Sequence, residues 1–145
     1  KYLKNVIENN DGYKIFYVNG SPIKTEDDLQ ILFRLVWFGT ISDVNREVNN
    51  GRGPADFKIS RGASDKTMVE FKLARNRQLK RNLQNQLEIY KKANETEQGI
   101  HAIIYFSKEE LERVNKILTE LKLSIGDDIV LIDARSDNKI SASKV

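Results

Sequence analysis

At 145 residues the chain fits one domain, long enough to bury a single core and short for two. Hydrophobic residues make up 39% and charged residues 31%, a globular balance, and no apolar run approaches the roughly 20 residues a membrane helix needs, so no membrane partner is expected. The absence of cysteine excludes thiolate catalysis, disulfides and cysteine zinc sites, while the single histidine, His101, excludes multi-histidine metal centres.

The chain starts on Lys1 and shows no secretory signal, so a piece of a longer chain, compatible with further domains, or a processed product is expected, with the cytoplasm as the default location. Residues Tyr13 to Val18 alternate weakly and carry aromatic and β-branched side chains, which predicts a short strand; Asn19-Gly20-Ser21-Pro22 is its turn. Residues 1–24 are thus expected to be a strand and turn outside a core of about 25–135. Thr25 is placed to cap a helix whose first turn holds Glu26, Asp27 and Asp28, acids explained by the helix dipole, and Leu29, Leu32, Phe33 and Val36 form its apolar stripe. After Gly39-Thr40, the spacing of Ile41, Val44 and Val48 predicts a second helix ending at Asn49-Asn50-Gly51, with Glu47 on its flank.

Two β-type runs follow, Ala55 to Ser60 and Thr67 to Leu73, joined by the turn-rich stretch Arg61-Gly-Ala-Ser-Asp-Lys66, which together read as a hairpin. Residues 76–94 carry Leu79, Leu83, Leu87 and Tyr90 at helical spacing, and Ile100 to Phe106 is a buried strand. His101 inside that strand is read as a hydrogen-bonded structural histidine. Ser107 caps a further helix with Glu110 as capping-box partner and Leu111, Val114, Leu118 and Leu121 as its stripe; Gly126 ends it, and Ile129 to Ile132 is the last strand. The polar tail 136–145 is expected to be loosely ordered. The order points to one α/β domain with helices packed on a mixed sheet.

The chemistry concentrates in the hairpin. A turn centred on Ala63 places Asp56 directly across from Glu70, and like charges at opposed positions destabilise a strand pair unless a cation lies between them. Strand alternation puts Lys72 on the same face as Glu70, and Phe71 on the other. Two converging carboxylates suit a hard cation such as Mg²⁺, which keeps waters for substrate phosphate, and a neighbouring lysine can neutralise charge developing on that phosphate. A partly exposed salt-bridge cluster is the competing reading of the same three residues. On a helical wheel Gln86 shares the centre of the face defined by Leu79, Leu83 and Tyr90, so its amide has to be either a satisfied core group or a functional one. The net charge of +3 is uneven, with Lys72, Arg75, Arg77, Lys80 and Arg81 inside ten residues; the plain reading is a solvated helix face, and the functional one is a polyanion contact.

Gly51-Arg-Gly-Pro-Ala-Asp-Phe57, Val69-Glu-Phe-Lys-Leu73 and Gln86-Leu-Glu-Ile-Tyr90 resemble, in this order, the PD-(D/E)xK nuclease superfamily, with the Gln-x-x-x-Tyr element of its RecB-like branch. The resemblance covers about residues 40–106. It implies a restriction-endonuclease-like core, a mixed central β-sheet flanked by helices, with Asp56, Glu70 and the Phe71 carbonyl on Mg²⁺, or Mn²⁺ in its place. It further implies that Lys72 positions or activates the attacking water, that an acid on the preceding helix, Glu47 or its rival Asp43, completes the set, and that Gln86 bonds around the site with Tyr90 supporting it or touching substrate. Ala55 stands where the motif has proline, and no histidine lies upstream of Asp56, which departs from the RecB-like pattern. The expected activity is a metal-dependent hydrolysis of nucleic acid, as an endonuclease or an exonuclease, with DNA favoured and Arg52, Arg75, Arg77 and Lys80 on the backbone; a homodimer is compatible with it. The alternatives are RNA cleavage and a binding module for nucleic acid or protein that has lost catalysis.

Overall fold

The computed structural model describes the backbone of residues 2–37, 43–49, 54–60, 66–92, 98–126 and 128–139, and the side chains of 3–33, 69–85, 99–126 and 128–139. The chain opens on α1, Tyr2–Asn9, which the sequence reading assigned to no helix. Leu3 and Ile7 are one turn apart and aim inward, and Lys4 pairs with Glu8 on the flank at 2.5 Å. A 3₁₀ turn, Gly12–Phe16, takes most of the stretch expected to be a strand, which shrinks to β1, Tyr17–Val18, paired with β2, Ser21–Pro22. The loop between them is the two-residue kind that needs positive φ at both positions, and Asn19 (51°) and Gly20 (75°) supply it.

Helix α2, Glu26–Trp37, begins where its cap predicts: Thr25 Oγ1 accepts the Asp28 N–H at 3.2 Å, and the Asp28 carboxylate accepts from the Thr25 hydroxyl at 2.8 Å. The second predicted helix is absent. Asp43–Asn49 is instead a strand, β3, antiparallel to β4, Pro54–Ser60. Val44 and Val48 fit a four-residue helical step, but they equally alternate with Asn45 and Glu47 at period two, and β-branched residues favour the pleat once a partner strand is available.

The hairpin stands with the expected register: β4 pairs with β5, Lys66–Leu73, through Phe57↔Val69, Lys58↔Met68, Ile59↔Thr67 and Ser60↔Lys66. From β5 the chain passes through α3, Leu79–Lys92, to β6, Gln98–Tyr105, and through α4, Lys108–Glu120, to β7, Ile129–Asp133, with β5, β6 and β7 mutually parallel. Among the described residues the main sheet is therefore five strands in sequence order, antiparallel from β3 to β5 and parallel from β5 to β7. Helix α4 stops before Gly126. Lys122 takes the left-handed conformation (φ 55°), and the Leu123 N–H closes back on the Leu118 carbonyl at 2.8 Å.

The helices cover opposite faces of the sheet. Val69, Phe71 and Leu73 pack with Ile7, Phe16, Ile23, Leu29 and Phe33 on one side, where the Phe33 and Phe71 rings stack 3.6 Å apart. Leu79 and Leu83 of α3 join Ile103, Tyr105, Val114 and Leu118 on the other. Residues 1–24 are thus part of the main core, against expectation, because α1 presents Ile7 to it and Glu8 accepts the Asp133 N–H of β7 at 2.8 Å. Residues 136–139 are also held: Asn138 and Lys139 both bond to Asp133.

Candidate metal centre on the sheet

The central strand β5 sorts its side chains by alternation. Odd positions feed the α1 and α2 side; even positions, Glu70 and Lys72, face the α3 and α4 side. Glu70 is 6% exposed, and its carboxylate lies 3.5 Å from the Lys72 ammonium, itself mostly buried. A buried carboxylate is stable only with a counter-charge, and Lys72 supplies one among the described residues.

Neighbouring strands extend this pair into a row. The pairs Arg46↔Phe57 and Val48↔Ala55 bracket Glu47 and Asp56, which therefore stand opposite one another on β3 and β4. The β4–β5 register, one residue beyond Phe57↔Val69, puts Asp56 across from Glu70. On the other side Glu70 pairs with His101 of β6. Directly opposed positions on adjacent strands share a face, and the strands lie roughly 4.8 Å apart. Glu47, Asp56, Glu70 and His101 thus occupy four successive positions straight across β3, β4, β5 and β6. The side chains of Glu47 and Asp56 lie outside the described residues, and among the described ones no group of three ligating side chains comes together.

Glu47 is consequently no helix acid. It reaches the row because its segment is a strand in register with β4, whereas its rival Asp43 pairs with Ser60, four residues further along β3. The Phe71 side chain turns away to stack on Phe33, so a role for this residue rests on its backbone carbonyl.

His101 is 5% exposed, with Nδ1 4.0 Å from the Glu70 carboxylate, and its backbone N–H donates to the Asp128 carbonyl at 2.7 Å. Burial, reinforced by the Lys72 charge and opposed by Asp128, pushes its pKa down to about 4, so the imidazole is neutral at pH 7. Local sequence marks His101 as a buried histidine but not Glu70 as its neighbour, because parallel pairing through a helix leaves no local signature.

Helix α3 lies over the same sheet face. Leu79 and Leu83 fix its buried stripe, and Gln86 continues it at helical spacing; the side chains of Gln86 and Tyr90, like Arg52, lie outside the described residues. The basic stretch is less uniform than its composition. Arg75 pairs with Glu110 at 3.1 Å and lies over the Phe106 ring, Lys80 pairs with Glu120 at 2.7 Å, and Arg77 is exposed. Two further polar groups escaped the sequence reading: Glu26, which accepts from the Leu73 N–H (3.1 Å) and Asn76 amide (2.9 Å) at the exit of β5, and Gln30, buried one turn later on α2.

Two concavities among the described residues lie elsewhere. One of about 460 Å³ borders Glu8, Tyr13, Tyr105, Asp133 and Lys139. Burial works against the Asp133 carboxylate, but hydrogen bonds from Arg135 and Asn138 and the charge of Lys139 outweigh it and hold its pKa well below the usual range. The other, about 730 Å³, is an apolar groove beside the exposed Ile15, Val18 and Ile31.

The chain belongs to the family described as Domain of unknown function (DUF8371), whose model matches residues 1–108, a span that contains all four positions of the row. No curated protein and no solved structure matches the chain. No helix among the described residues is long and apolar enough to cross a membrane.

Proposed function

We propose that the chain is a metal-dependent nuclease that hydrolyses phosphodiester bonds, with DNA the favoured substrate. The observation that carries this reading is the β4–β5 register, which runs to Phe57↔Val69 and whose next step sets position 56 opposite Glu70, with Lys72 beside Glu70 on the same face. A mixed sheet with helices on both faces is also what a restriction-endonuclease-like core requires, and the ordered elements around Asp56, Glu70 and Gln86 resemble those of the PD-(D/E)xK superfamily.

In this reading Asp56 and Glu70 hold the cation, with Glu47 beyond Asp56 as the third acid. When bound, Mg²⁺ or Mn²⁺ supplies positive charge at the phosphate and at the attacking water. Lys72, held beside Glu70, places its remaining donors toward the water or a phosphate oxygen, where a preorganised cation stabilises the charge that develops as the bond breaks. Helix α3 shields this face of the sheet, with Gln86 and Tyr90 on its stripe, and Arg77 at the approach to α3 contacts the phosphate backbone without reading bases.

Cleavage of matched DNA and RNA by the wild-type chain and by Glu70→Gln, with Mg²⁺, Mn²⁺ or chelator, tests the assignment. The expected result is metal-dependent cutting of DNA that the variant loses. Cutting that survives both the chelator and the substitution removes it; exclusive cutting of RNA retains the chemistry and changes the substrate.

A further inference from the structure

The row across the sheet does not end at its acids. It ends at His101, the one residue of the row with nitrogen donors and the only histidine of the chain. We infer that His101 ligates the same ion as Glu70 through its imidazole, so that the centre is a mixed nitrogen and oxygen site; this rests on the metal centre proposed above.

The geometry is that of two donors around one ion. Metal–nitrogen and metal–oxygen bonds of roughly 2.1 Å each let a single ion bridge donors up to about 4.2 Å apart. Nδ1 of His101 and the Glu70 carboxylate oxygen are separated by 4.0 Å. The Lys72 ammonium lies 3.5 Å from the same oxygen. The backbone fixes both partners, because Glu70 and His101 are registered neighbours in the parallel ladder and the His101 N–H is bonded to Asp128.

The chemical consequence is selectivity. Carboxylates alone suit Mg²⁺, whereas an imidazole favours transition metals such as Fe²⁺ or Zn²⁺ and is better tolerated by Mn²⁺ than by Mg²⁺. The centre is therefore expected to bind Mn²⁺ more tightly than Mg²⁺.

The sole histidine makes the test clean. Mn²⁺-loaded, tag-free protein in imidazole-free buffer is studied by pulsed electron paramagnetic resonance, once with natural histidine and once with ¹⁵N-labelled histidine. The expected result is a nitrogen coupling that changes from the ¹⁴N to the ¹⁵N pattern on labelling, with Mn²⁺ uptake lost in Glu70→Gln. Labelling needs no substitution, so a folding defect cannot mimic the outcome. Mn²⁺ bound in a Glu70-dependent way, with a spectrum indifferent to the label, overturns ligation by His101 while leaving the proposed nuclease centre standing. Absence of Mn²⁺ uptake by the wild-type chain overturns both.

Discussion

Burial makes Glu70 and Lys72 depend on each other, and that dependence can be measured apart from catalysis. Lys72→Ala leaves a buried carboxylate beside another acid position, which is expected to cost roughly 3 kcal/mol in chelator-containing buffer. Added Mg²⁺ should restore more stability to this variant than to the wild type, because the cation replaces the missing ammonium. Denaturant titrations with and without Mg²⁺ check this; equal gains would mean that the ion does not bind beside Glu70. The variant should also keep its calorimetric metal binding and lose cleavage, since an ammonium is no metal ligand. His101 supplies a pH signature in the metal-free state. Its folded pKa of about 4 lies below the unfolded 6.5, so the unfolded chain takes up the proton first as pH falls. Its contribution to stability is then complete above about pH 6.5 and declines through the window down to about 4, by about 3 kcal/mol for the 2.5-unit gap. Glu70, Lys72 and Asp128 face the ring and stay in place in both proteins compared, so unfolding titrations of wild type and His101→Gln should diverge only inside that window.

At the scale of elements, β3 decides which acid joins the row. Its register sets Glu47 opposite Asp56 and Asp43 opposite Ser60. Glu47→Gln should therefore weaken Mn²⁺ binding by at least the roughly tenfold that loss of an outer-shell partner causes, while Asp43→Asn leaves it unchanged. Isothermal titration of both variants distinguishes them, and equal affinities would take Glu47 out of the centre. The segment between β5 and α3 divides its basic residues in the same way. Arg77 is exposed, so Arg77→Ala should lower the log–log salt slope of duplex binding by about 0.9 with little change in stability. Arg75 is committed to Glu110 and the Phe106 ring, and Arg75→Ala should cost on the order of 1 kcal/mol of folding stability whatever it does to binding. Binding isotherms over a range of salt, paired with thermal melts, separate the two roles.

For the molecule as a whole, the N-terminal segment is a structural test. Were residues 1–24 an appendage to a core of 25–135, truncating a side chain there would matter little. Ile7 is instead 1% exposed in the cluster that includes Phe33, Phe71, Ile104 and Ile132. Ile7→Ala is expected to lose 2–5 kcal/mol, roughly the cost of a large-to-small change in a packed core. A chemical denaturation curve measures it, and a loss under 1 kcal/mol, roughly a surface effect, would detach α1 from the fold. Through β7, which pairs with β6 and bonds to Glu8, this segment also bears on the strand that carries His101.

What the sequence by itself determined is everything written in local patterns. Thr25 and Ser107 announced their helices because a capping hydroxyl acts on N–H groups three residues away. The stripes of α2, α3 and α4 were legible at helical spacing, and the β4–β5 register followed from the turn, since a hairpin's pairing is set by the residues that close it. That set Glu70 and Lys72 on one face of β5, with Asp56 expected opposite Glu70, before any tertiary information. Only the tertiary structure decided the rest. The segment from Asp43 to Asn49 carries a pattern that helix and strand both satisfy, and its pairing with β4 settled the matter, moving Glu47 from the flank of a helix into line with Asp56. His101 lies 31 positions from Glu70 in the register, across a helix and its connections, and no periodicity spans such a crossover. The pairing that joins them is fixed by burying α3 and α4 against one face of the sheet, a cooperative term that belongs to the packed whole and to no stretch of the chain.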